Sequence, residues 1–91
     1  MKVLPEDVST YKKTPIFDQD SIPKGLLKDH STKPNVWGKI SVLEGKLLYT
    51  IKSNPVEEVL LSESYHGVVE PEVIHFVTPQ DKVKFFVEFL K

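Results

Sequence analysis

Apolar and polar residues alternate along this chain over short stretches, and sustained helical spacing is missing. The clearest case is the C-terminal run, where Val83, Phe85, Val87 and Phe89 fall on one side of an extended strand. Lys84, Phe86, Glu88 and Leu90 fall on the other. Prolines at positions 5, 15, 23, 34, 55, 71 and 79 leave no room for a long helix, because an interior proline costs about 3 kcal/mol. The segments between them are rich in β-branched and aromatic residues. They read as strands divided by turns, the pattern of an all-β sandwich or barrel.

Tyr11 to Phe17 reads as a first extended segment, placed at a sheet edge by Pro15. Leu26 to His30 reads as a short strand, followed by a Ser31–Asn35 loop. Val36 to Leu43 is a strand with Gly38, Ile40 and Val42 on one face. Glu44-Gly45 predicts a tight hairpin turn into the return strand Leu47–Ile51, since glycine reaches positive φ without steric cost. Glu57–Leu61 and His75–Thr78 are further strands, and Pro79–Lys82 predicts a turn before the last strand, Val83–Leu90.

A length of 91 residues predicts one domain over 1–91, with residues 1–10 as an irregular N-terminal arm. The near-neutral charge of -1 gives no electrostatic reason to expect nucleic acid or an anionic membrane as partner. The absence of cysteine removes disulfides, thiolate nucleophiles and Cys-based zinc sites, and fits a cytoplasmic protein. Pro5, Glu6 and Asp7 stand where a signal peptide would need its apolar core. A barrel this small has to lean on its aromatic strands, a metal or a second subunit. Phe85, Phe86 and Phe89 on the last strand predict a homodimer.

The candidate chemistry centres on Glu70-Pro71-Glu72-Val73-Ile74-His75, a proline-braced turn that delivers a histidine to the start of an apolar strand. His75 is either a half-exposed polar residue at a strand end or a ligand aimed into a barrel. His30 is either a surface-loop histidine or its partner, and His66 reads as a solvated turn residue. Glu88, inside Phe85–Leu90, is either on a solvent face with Lys84 or paired with a metal or histidine. His30, His75 and Glu88 together would match the two-histidine, one-carboxylate set of a non-haem iron or catalytic zinc site, with Glu70 and Glu72 as alternative third ligands. No Gly-rich phosphate loop, nucleophile elbow or HExxH motif occurs.

Thr14-Pro15-Ile16-Phe17, Pro23–Lys33, Val36-Trp37-Gly38, Val42–Gly45, Glu70–His75 and Phe86–Phe89 resemble the cupin-like domain of the tellurite-resistance TehB family and its YeaR-like single-domain relatives. The resemblance covers about Tyr11 to Lys91. It implies a double-stranded β-helix, a small jelly-roll barrel, with a divalent metal (zinc, iron, manganese or nickel) in its mouth. In that family the domain stands alone or ahead of a methyltransferase domain. Set against the general cupin pattern, His30 and His75 fall near two histidine positions, while Thr32 and Gly38 replace another histidine and the glutamate. The expected function is therefore a metal-binding cupin with His30, His75 and Glu88 as ligands, without a nucleotide cofactor, taking a small molecule or oxyanion. The alternative is a dimeric sensing or interaction domain without metal.

Overall fold

The computed structural model describes residues 1–91 as a single all-antiparallel β structure. Strands run β1 (Thr10–Lys13), β2 (Phe17–Asp18), β3 (Trp37–Ile51), β4 (Glu57–Leu61), β5 (Gly67–Val69) and β6 (His75–Leu90), with one 3₁₀ turn at Lys24–Leu26. The sheet order is β1-β6-β3-β4, with β2 also on β6 and β5 also on β3. The all-β class expected from the pattern holds. The sheet stays open, because β4 and β1 lie at its two ends and are not hydrogen-bonded to each other, so no closed barrel forms.

Two long strands, β3 and β6, carry the architecture. They pair from Trp37↔Leu90 to Ile51↔His75, with register breaks between Val42 and Glu44 and between Gly45 and Leu47. The predicted hairpin at Glu44-Gly45 and turn at Pro79–Lys82 are instead this bulged corner, where both strands bend and continue. Gly45 is required there. Its φ is +78°, and a Cβ would sit 2.1 Å from the Lys82 carbonyl oxygen. The glycine signal was real; what it marks is a bend within a strand.

The bend folds the inner faces of the two halves over one core. Tyr49, Phe85, Leu47, Leu61 and Val83 are its largest fully buried side chains. Ile40 faces Val87 and Val42 faces Phe85 across the β3–β6 ladder. The Tyr49 hydroxyl donates to the Val68 carbonyl at 3.0 Å, tying β5 to the floor of the core. The N-terminal segment is anchored: the Met1 ammonium pairs with Glu57, and the Met1 sulfur accepts from the Val68 N–H at 3.2 Å. Leu26–His30 is a 3₁₀ turn and bends leading to one bridge at His30, in place of the predicted strand.

Of the three aromatic residues behind the homodimer expectation, Phe85 is buried and Phe86 and Phe89 are half-buried. Phe85 lies in the core, edge-on to Phe17 at 5.7 Å, and Lys13 Nζ covers the Phe86 ring at 4.2 Å. No helix is long and apolar enough to cross a membrane.

Candidate functional site: an imidazole pair on an apolar cleft

His30 and His75, 45 positions apart, meet through backbone pairing. The His30 N–H donates to the His75 carbonyl and the His75 N–H to the His30 carbonyl, both at 2.8 Å. In such an antiparallel bridge the two side chains project to the same side, and the rings stand edge-to-face with centroids 5.5 Å apart. Tyr49 flanks His75 from the floor at 5.6 Å.

The two imidazoles differ in setting. His75 is only 4% exposed, while His30 is half-buried at the rim. His75 Nδ1 lies 3.1 Å from the Val73 carbonyl, which can only accept, so Nδ1 carries the proton. Nε2 then presents a lone pair. It has no protein partner, and no unpartnered polar side-chain atom is sealed away from solvent, so Nε2 looks onto the adjoining space. Burial pushes the His75 pKa below the ordinary 6.5; the Val73 bond works against that shift and the nearby His30 adds to it. His75 is therefore a neutral acceptor at pH 7.

That space is a narrow cavity of about 20 Å³, walled by Ile40, Val69, Val77 and Phe85 beneath the two histidines. It has room for roughly one water molecule. Leu26, His30, Val87 and Phe89 also wall an outer recess of about 230 Å³, completed by Phe17 and Pro23. The arrangement suits a ligand with an apolar body and one hydrogen-bond donor small enough to reach Nε2.

Of the three metal ligands expected from sequence, the fold brings together two. Glu88 lies on the outer face, opposite Lys39, where it accepts from the Thr10 hydroxyl at 2.9 Å. Strand parity separates it from the core-facing Val87 and Phe89, and so from the cleft. Glu70 pairs with Lys2 at 3.7 Å, and Glu72 is exposed. No group of three histidines, cysteines or carboxylates is placed to hold a metal ion. Asp29, a candidate to orient an imidazole, instead pairs with Lys52 at 3.1 Å. Sequence reasoning passed over Leu26 and Phe89 as cleft walls. Their half-burial next to His30 depends on pairings that no local pattern shows.

Residues 12–87 match the TehB-like domain family. Two Haemophilus influenzae proteins named probable S-adenosyl-L-methionine-dependent methyltransferase TehB are 37% identical (strain KW20 / Rd) and 35% identical (strain 10810) over 71 residues. Each match covers 74% of this chain and 25% of the relative, so the chain spans about a quarter of their length. The crystal structure of TehB from H. influenzae superposes with a TM-score of 0.84 at 28% identity, over 93% of this chain and 32% of that one. A protein from E. coli K12 superposes with a TM-score of 0.87 over 100% of this chain and 97% of its own, at 22% identity, a likeness of fold.

These relatives overturn the expectation of a metal-binding cupin. Their names attach them to methyl transfer from S-adenosylmethionine, in place of zinc, iron, manganese or nickel and against the expectation of no nucleotide cofactor. The histidine cleft does not fit that donor: a cavity of about 20 Å³ with apolar walls has neither a slot for adenine nor a carboxylate for ribose hydroxyls. The matched residues, the identity and the superposition agree: this chain belongs to the TehB-like domain family.

Proposed function

We propose that this chain is an accessory β domain of methyl transfer, one that receives the acceptor of the methyl group and leaves the donor to other machinery. The observation that carries this reading is the free Nε2 lone pair of His75, held neutral beside a mostly apolar cavity that His30 and Thr32 also line. A thiol, alcohol or phenol group donates to that lone pair while its apolar body rests against Phe17, Leu26, Val87 and Phe89. By accepting that hydrogen bond, Nε2 raises electron density on the sulfur or oxygen, the atom that would attack an incoming methyl carbon. His30 stands half-buried beside His75, the two rings edge-to-face, and lines both the cavity and the outer recess. The tellurite-resistance association rests on family membership alone and is compatible with this reading.

Calorimetric titration with ethanethiol and with phenol tests the proposal. Binding by the wild-type chain that is lost in His75→Leu supports it. Equal binding by both proteins, or none by either, contradicts it.

A further inference from the structure

A second recess, of about 560 Å³, lies where the N-terminal segment passes the start of β3. We infer that it is a binding site for an organic onium cation, a methylated ammonium group. Three features of its lining point to that chemistry. Trp37, the only tryptophan, is on the outer face of β3 and borders the recess half-exposed. Asp7 and Glu72, both exposed, border the same space. Pro5, Pro34 and Pro71 supply walls without backbone N–H groups, so an anion finds few donors there while a cation loses nothing.

The one cationic side chain on the rim, Lys91, has its Nζ over the Tyr11 ring at 4.4 Å and is already engaged. A tryptophan ring and two carboxylates lining one recess attract a bulky, weakly hydrated cation by the ring quadrupole and by charge. Asn35 and Glu72 both border the recess at φ 66°, a conformation uncommon outside glycine. Glu72 is held there by its N–H donating to the Thr32 carbonyl at 3.2 Å. This inference stands apart from the histidine cleft, which shares none of these lining residues.

Because Trp37 is the sole tryptophan, its fluorescence reports the site directly. The chain is titrated with choline and tetramethylammonium chlorides, against sodium chloride at matched ionic strength. The uncharged choline isostere dimethylbutanol is the second control. The expected result is saturable binding of both cations, with the neutral isostere about 5-fold weaker or more. Asp7→Asn and Glu72→Gln weaken the cations several-fold at unchanged melting temperature. Absence of a saturable response beyond sodium chloride overturns the inference. So does equal binding of the neutral isostere, or charge-removing variants that fold and bind as before.

Discussion

Acidification from about pH 7.5 to pH 5.5 should weaken this fold through His75, and replacing that residue by leucine should remove most of the effect. In the unfolded chain His75 titrates near 6.5, whereas burial depresses its pKa in the fold. Between those values the unfolded state binds more protons, so stability is complete above pH 6.5 and is lost as pH falls through the folded pKa. Each tenfold weakening of proton binding in the fold corresponds to about 1.4 kcal/mol. For a domain of this size, each kcal/mol lost at the midpoint lowers the melting temperature by roughly 4–8 °C. His75→Leu has two opposed effects at high pH. It removes the Nδ1–Val73 hydrogen bond, worth about 1 kcal/mol net, and leaves that carbonyl to water. It also adds apolar surface to a site only 4% exposed. The variant should therefore lie close to wild type above pH 7 and become the more stable of the two toward pH 5.5. Urea unfolding across this window measures it, since carboxylates remain ionised there. His30→Ala should keep most of the wild-type pH slope, because burial outweighs the His30 charge as the cause of the shift. A His75→Leu protein that loses stability with acid as steeply as wild type would show that His75 is not the source of the acid sensitivity.

Three further outcomes follow from the fold. Tyr49→Phe deletes the donor to the Val68 carbonyl from a side chain only 1% exposed and should cost about 1–3 kcal/mol in urea unfolding, with little effect on the histidine cleft. Gly45→Ala forces a Cβ to 2.1 Å from the Lys82 carbonyl at positive φ; it should cost more than about 1–2 kcal/mol, read as lost melting temperature, since the strain of φ adds to the clash. Glu88→Gln, on the outer face, should change stability by no more than about 0.5 kcal/mol and leave thiol or phenol binding by calorimetry unaltered.

Much of the fold was legible because it follows strand periodicity. Val83, Phe85 and Val87 on one face of β6, and Ile40 and Val42 on one face of β3, are the core. Glycine and proline chemistry marked the corner at Gly45 and Pro79, but local rules could not say whether it was a turn or a bend. That depends on whether both strands keep their pairing on either side of the bulge, which is a long-range fact. The site was half legible. His30 and His75 stood out by residue type, and the bridge between residues 30 and 75 makes them a pair. For Glu88 the pattern left a solvent face and a metal or histidine partner open, and strand parity puts it on the outer face beside Lys39 and Thr10. The cleft walls and the Trp37 recess come from segments far apart in sequence, and no local pattern announces them.

The central claim is that His75 Nε2 is the acceptor for a ligand's hydrogen-bond donor, and nitrogen-15 spectroscopy of the three imidazoles tests it most directly. At neutral pH His75 should be the Nδ1–H tautomer, with an unprotonated Nε2 resonance that moves on addition of phenol while His66 stays fixed. An Nε2–H tautomer at His75, or a phenol titration that leaves its Nε2 resonance in place, would contradict that claim.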